Sequence, residues 1–105
     1  MLKDFGRLMK QAQELQKNFA QAQEELAQLR VTGEVSEGAV QITLTGKYEV
    51  VDVKIDSSLR DPDSLEMLEE LIAAALKDAL EKVKAAAEEK LSGFKALGAD
   101  FPGLI

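Results

Sequence analysis

Residues 39–56 read AVQITLTGKYEVVDVKID, and this stretch decides the fold. Within it, apolar and polar side chains alternate on both sides of Gly46 and Lys47, which is the period expected of half-buried strands. A glycine followed by a polar residue at this position is typical of a tight hairpin turn. The stretch therefore predicts two antiparallel strands, at about 39–45 and 48–56.

Upstream of this hairpin, the sequence predicts a further strand and a long helix. Residues 31–35 form a short period-two segment that ends at a turn over residues 36–38, so we expect a three-stranded antiparallel sheet. Residues 3–29 are mostly helix formers, with apolar residues spaced alternately three and four apart, which is the heptad seam of a coiled coil. The seam consists of Phe5, Leu8, Ala12, Leu15, Phe19, Ala22, Leu26 and Leu29.

Downstream of the hairpin, a second long helix is predicted over about residues 62–92. Pro62 suits the first position of a helix, and Gly93 is the residue type that commonly follows a helix end. The remaining residues, 93–105, form a tail that contains glycine and proline. The chain is therefore predicted to be a single α+β domain, 1–105, in the order α-β-β-β-α.

The first helix is too long for such a small sheet to cover, and we therefore expect a homodimer. At 1.5 Å per residue the helix spans roughly 40 Å, whereas three strands make a sheet about 14 Å wide and 20 Å long. The rest of the seam must meet another helix, either the second helix of the same chain or a second subunit. We favour the second subunit, because two-fold dimers are common and two sheet edges are also open. The predicted dimer contact consists of Leu8, Ala12, Leu15, Phe19 and Ala22.

The composition argues against several classes of function. The chain contains no Cys and no His, so it lacks thiolate metal ligands and the commonest general base. The carboxylates of the second helix are interpreted as a solvated face, and the glycines match no phosphate-binding fingerprint. No apolar run approaches the ~20 residues of a membrane span. We therefore expect a cytoplasmic protein that is not an enzyme, with no metal, cofactor, small-molecule substrate or membrane partner.

Charge is distributed unevenly along the chain. The formal net charge of −6 opposes binding to nucleic acid. Residues 1–20 nevertheless carry four basic and two acidic side chains, whereas residues 61–92 carry four basic and nine acidic ones. The basic side chains of the first helix fall on one stripe roughly opposite the seam, and they are Lys3, Arg7, Lys10 and Lys17. Taken by itself, this stripe is more simply interpreted as a solvated face.

Five segments of the chain, in order, resemble the YbaB/EbfC family of bacterial nucleoid-associated proteins. They are MKQAQELQ (9–16), VTGE (31–34), GAVQITLTG (38–46), VKIDSSL (53–59) and LEELIAAALKDALEK (68–82). No single segment is specific, but their order and spacing match the family over nearly the whole chain. The chain departs from the family pattern at three places. Its first hairpin is poorer in glycine, Ser57 stands where the family usually has proline, and Lys77 stands where asparagine is common.

The resemblance implies a tweezer-like homodimer with projecting helices that binds double-stranded DNA in the nucleoid without catalysis. On that basis we expect the basic stripe to contact DNA with low sequence specificity. The bound protein is expected to affect nucleoid organisation and gene expression. Glu37 makes the first hairpin a poor DNA contact. An alternative hypothesis is a protein–protein adaptor that docks a partner through its apolar seam or a sheet edge without binding DNA.

Overall fold

A computed structural model describes the backbone of residues 2–95 and the side chains of residues 4–92. The order of its elements is α-β-β-β-α, which confirms the predicted α+β class. The long elements are α1 (Leu2–Gln28), β1 (Arg30–Val35), β2 (Val40–Thr45), β3 (Val50–Ile55) and α2 (Leu65–Lys95), and two 3-10 turns, Ser57–Leu59 and Pro62–Ser64, precede α2. The predicted tail lies outside the described residues from residue 96 onward.

The second helix continues past the glycine that was expected to end it. Gly93 lies inside α2, which runs to Lys95. A glycine inside a helix costs only about 1 kcal/mol relative to alanine, so it weakens a helix without forbidding it.

The three strands form one antiparallel sheet in the order β1-β2-β3. The alternation along β2 turns Val40, Ile42 and Leu44 toward α2, and all three are buried. On the helix, Ala75, Ala79 and Val83 are buried in the same core, since residues four apart lie on one helical face. The core is therefore a single layer between one face of the sheet and one stripe of α2.

Gly33 of β1 explains why α2 approaches the sheet so closely on one side. A β-carbon at this position would collide with the backbone nitrogen of Ala79 and the carbonyl oxygen of Ala75. The helix can therefore lie against β1 and β2 only because one strand residue has no side chain and the facing helix residues are small. As a result, α2 covers β1 and β2 and leaves β3 largely exposed.

The connection between β2 and β3 is wider than the predicted two-residue turn. Thr45 N–H donates to the carbonyl of Glu49 at 2.8 Å, and the strand resumes only at Val50. Tyr48 adopts the left-handed region with φ of 67°, which single residues of such longer hairpin loops commonly require. The hydroxyl of Thr45, which is buried, accepts hydrogen bonds from the N–H groups of Lys47 and Glu49 and so fixes the loop.

Among the described residues, helix α1 contacts the rest of the chain only through its C-terminal part. Ala22 and Leu26 are buried, and the carbonyl of Leu26 accepts a hydrogen bond from Gly46 N–H at 2.8 Å. An ion pair of 3.2 Å joins Glu25 to Lys90 of α2. Residues 4–18, by contrast, are exposed throughout, and we call this segment the arm. None of the described helices is long and apolar enough to cross a membrane.

Candidate nucleic-acid interface

The arm carries the basic stripe that the sequence predicts. Arg7, Lys10 and Lys17 are all exposed on α1, while the side chain of Lys3 lies outside the described residues. At 1.5 Å per residue, Arg7 and Lys10 are about 4.5 Å apart along the helix axis, and Lys10 and Lys17 about 10.5 Å. Such spacing lets three long side chains reach different phosphates along one strand of a duplex, whose charges recur about every 3.4 Å of axis.

The stripe is available for binding because the protein itself does not neutralise it. Among the side chains of residues 4–92, ion pairs join Lys82 to Asp78 and Lys90 to Glu25, and none involves the stripe. Glu14 is the one acidic residue within the stripe, four residues after Lys10. The stripe is therefore a free cationic helix face with one carboxylate in it.

The described residues of the body offer no comparable cluster of free basic side chains. Acidic residues, most of them exposed, lie along α2, and several basic groups of the body already have partners within the chain. Lys82 donates to the carbonyl of Thr32 at 3.2 Å as well as pairing with Asp78. The guanidinium groups of Arg30 and Arg60 donate to backbone carbonyls near their own positions. Positive charge that is both free and clustered is therefore concentrated on the arm.

Among the described residues, two carboxyl groups have a lowered pKa, and both lie away from the arm. The hydroxyl and N–H groups of Ser58 lower the pKa of Asp56, which begins the first 3-10 turn. The N–H of Glu34 and the ammonium of Lys82 lower the pKa of Asp78. Both effects come from hydrogen bonds that hold backbone in place, so we interpret these groups as structural. The described residues also contain no cluster of three or more acidic residues placed to hold a metal ion.

The structure distributes the five residues of the predicted dimer contact over two environments. Leu8, Ala12 and Leu15 are exposed on the arm, with Leu8 at 63% exposure. Phe19 is half-buried, and Ala22 is buried within its own chain. The outer part of the seam therefore remains available for another molecule, while the inner part is already covered.

A second apolar surface was not foreseen from the sequence. On β3, Val50 is 63% exposed and Val51 and Val53 are each 48% exposed, and Leu76 and Leu80 of α2 are exposed as well. The consecutive valines at 50 and 51 break the alternation and are the only sequence signal of this surface. They coincide with a shift in strand register opposite Thr43 and Leu44.

Comparison with known proteins bears on what such an arm does. The sequence profile of the YbaB/EbfC DNA-binding family matches residues 1–97. The chain belongs to this family. The resemblance inferred from the five segments is thereby confirmed, and the family is one of DNA-binding proteins rather than of enzymes.

Two relatives in Legionella pneumophila, from the strains Corby and Paris, are described as nucleoid-associated proteins. Each is 46% identical to this chain over 93 residues, which is 89% of this chain and 82% of the relative. A crystal structure of an uncharacterized protein from Helicobacter pylori has the same fold, with a TM-score of 0.70 and 27% identity. That match covers 89% of this chain and 96% of the other. The two proteins therefore share one fold over most of their length.

Proposed function

We propose that the protein is a nucleoid-associated homodimer that binds duplex DNA through the basic stripes of its two arms. The observation that carries this proposal is the position of Arg7, Lys10 and Lys17, which are exposed, form no ion pair among the described side chains and lie on the arm, apart from the acidic body. Membership of a DNA-binding family supports it, as do relatives described as nucleoid-associated. The expected location is the nucleoid, in the cytoplasm.

The chemistry of the stripe favours binding with little sequence preference. Lysine and arginine side chains contact phosphates, which position a protein on a duplex but carry no base information. Gln11 and Gln13 are exposed nearby and are of a type that can read base edges, but neither is held in place by a hydrogen bond among the described residues. A protein of this kind would influence nucleoid organisation and gene expression through the fraction of the DNA that it occupies, rather than by recognising particular sequences.

Self-association doubles the number of basic side chains that one complex can present. Each subunit offers Arg7, Lys10 and Lys17 of the arm together with Lys3, which precedes it in the sequence, so two subunits offer eight. If four to six of them neutralise phosphates, log affinity should fall against log salt with a slope of about −4 to −5. A fourfold rise in salt would then weaken binding roughly 250- to 1,000-fold.

The test is a titration of the purified protein with two labelled duplexes of unrelated sequence, followed by fluorescence anisotropy at 50 and 200 mM salt. We expect similar affinities for both duplexes and the steep salt dependence given above. Equal binding at both salt concentrations, or no binding at the lower one, would contradict the proposal.

The exposed apolar surfaces favour a second candidate, an adaptor that docks a protein partner without contacting DNA. Leu8 and Leu15 on the arm and the valines of β3 are more exposed than large apolar residues usually are on soluble monomers. The same titration separates the two functions, because an adaptor would show no saturable, salt-dependent binding to DNA.

A further inference from the structure

The outer part of the arm, residues 4–15, is exposed throughout, and it carries a row of large apolar side chains. Phe5 and Leu8 of the seam are each 63% exposed, and Leu15 is 41% exposed. Apolar surface gains free energy when it is removed from water, and soluble proteins rarely leave a large contiguous patch of it uncovered. The outer seam is therefore expected to have an apolar occupant.

Helix α2 runs outward beside the root of the arm. Contacts of α2 with the preceding elements follow in reverse order along the chain, and they join Asp78 to Glu34, Lys82 to Thr32 and Lys90 to Glu25. The two helices are therefore antiparallel. They are roughly 46 and 40 Å long, and in a molecule 74 Å long they overlap by only about 12 Å. Lys95 thus lies about level with residue 20 of α1, and beyond that level the arm projects past α2.

The segment that follows this end of α2 is short and apolar. Residues 96–105, ALGADFPGLI, lie outside the described residues, and six of the ten are apolar while one is charged. From the level of residue 20, Phe5 is about 22 Å further along the arm. Ten residues can span roughly 33 Å when extended. The segment therefore begins beside the uncovered surface and is long enough to reach its far end.

We propose that residues 96–105 lie along the outer seam of the arm of the same chain, and we call this segment the strap. An extended residue advances about 3.3 Å and a helical residue about 1.5 Å. Counted from Lys95 at this ratio, Leu97 falls level with Leu15, and Phe101 falls level with Leu8. The two largest apolar residues in the first part of the strap thus coincide with two exposed residues of the seam.

The other residues of the strap are compatible with this course. Gly98 and Pro102 weaken or end helices, so they favour an extended chain over a continuation of α2. Asp100 supplies the only charge of the strap, and it is acidic, whereas residues 1–20 carry four basic and two acidic side chains. The strap therefore meets an arm of opposite net charge.

The strap is favoured over a second copy of the arm as the occupant of the outer seam. Between Phe5 and Leu15 the seam extends over fewer than two heptads, whereas a coiled coil usually needs three or four. The strap is also tethered beside the surface. A short tether gives an effective concentration in the millimolar range, far above that of a second copy in dilute solution.

This inference goes beyond the proposed function and does not depend on it. The stripe lies roughly opposite the seam on α1, so a strap on the seam leaves the stripe free to meet DNA. A protein partner, or a second arm, would have to displace the strap before it reached Leu8 or Leu15. The strap thus sets a condition on any contact that the outer seam makes with another molecule.

Hydrogen exchange of the full chain, followed by mass spectrometry, measures whether the outer arm is covered. A single helix of this length is marginal in water without tertiary contacts, so a strap should slow amide exchange over residues 4–15. L97S/F101S should speed exchange there by about tenfold and leave peptides of β2 unchanged. Ala99→Ser, which adds the same hydroxyl at a small residue, should exchange like the wild type. If L97S/F101S also exchanges like the wild type over residues 4–15, the strap is refuted.

Disulfide formation tests the position of the strap, and the absence of cysteine from the chain makes the readout specific. Leu15→Cys combined with Leu97→Cys should oxidise to a bond within one chain, because contacting residues bring their α-carbons within about 4.4–6.8 Å. The control combines Leu97→Cys with Lys17→Cys, which lies at nearly the same level but on the opposite face of α1. Peptide mapping without reduction should find the first bond and not the second.

Other occupants of the seam would give other products. A bond between chains when the two single variants Leu15→Cys and Leu97→Cys are mixed would assign the contact to the segment of a second copy. A covalent dimer from Leu15→Cys alone would place two arms together. Either product, no bond in either pair, or equal bonds in both pairs would overturn the strap. Intrachain cross-linking in a protein that fails to bind DNA would contradict only the proposed function.

Discussion

Removal of two charges from the arm is the perturbation that bears most directly on DNA binding. The double variant R7A/K10A removes four of the eight stripe side chains of a dimer, because each of the two arms loses two. Alanine preserves the helix, and both positions are exposed, so the fold should not change. Any effect on binding then reports on the charges themselves.

The expected magnitude follows from the number of charges removed. If four to six of the eight side chains contact phosphate, the double variant loses two to three contacts. Each contact contributes about 0.9 to the slope of log affinity against log salt, so the slope should become shallower by about two. Affinity should fall for all duplex sequences alike, because phosphate contacts carry no base information.

Net charge is controlled by a variant that loses the same number of charges elsewhere. Lys77 and Lys84 are exposed on α2, and neither forms an ion pair among the described side chains. We expect K77A/K84A to keep the slope of the wild type. Anisotropy titrations at four or more salt concentrations measure all three proteins. If R7A/K10A retains the affinity and slope of the wild type, or if both double variants lose the same amount, the stripe is only a solvated face.

Three further predictions concern the packing, the edge of β1 and the composition of the stripe. Gly33→Ala should lower the free energy of unfolding by about 1–3 kcal/mol, because its β-carbon would collide with the α2 backbone. Gly6→Ala should not lower it, because nothing lies within 4 Å of the added β-carbon. Equal urea midpoints for the two variants would contradict the close approach of α2 to Gly33. The pKa of Asp78 is lowered in the folded state, so its stabilising effect is full above its unfolded pKa of about 3.9 and is lost as the pH falls through the folded value. The stability difference between wild type and Asp78→Asn, which weakens the pair with Lys82, should therefore shrink below about pH 4, and a difference independent of pH would disprove the linkage. Glu14→Gln should strengthen DNA binding about two- to fivefold by removing the one carboxylate of the stripe, and unchanged anisotropy titrations would show that Glu14 points away from the duplex.

Periodicity predicts the elements of this fold well because the two repeat lengths are distinct. The alternation around Gly46 and the three-four spacing in α1 each match one secondary structure and not the other. Periodicity cannot show where α1 leaves the body, however, since Leu8 and Leu26 occupy equivalent positions of the same seam. The first is 63% exposed and the second fully buried. Only the short length of the sheet indicates that the seam must be divided.

The placement of α2 over the sheet depends on Gly33 and on the small helix residues that face it, which is why the alternation alone does not predict the exposed face of β3. Gly33 lets the helix lie against β1, and the helix then lies too far from β3 to cover Val53. A glycine in a strand often marks such a close approach, but the pattern alone does not say which element approaches. The left-handed Tyr48 was equally hidden, because tyrosine has no preference for that conformation.

The separation of arm and body explains how a chain with a net charge of −6 can bind a polyanion. Ala22 is the first residue of α1 that is buried against the body, and Arg7 lies fifteen residues before it, or roughly 22 Å along the axis. At physiological ionic strength, interactions between exposed charges are screened beyond about 8 Å. The outer part of the stripe, at Arg7, is therefore influenced mainly by its own neighbours, and the acidic residues of α2 affect it little. Those acidic residues would instead repel DNA from the body and so orient the duplex toward the arms. At lower salt the screening length exceeds about 20 Å, so the acidic residues of α2 begin to act on the stripe. As salt falls below about 20 mM, the affinity for DNA should therefore rise less steeply than the number of phosphate contacts predicts.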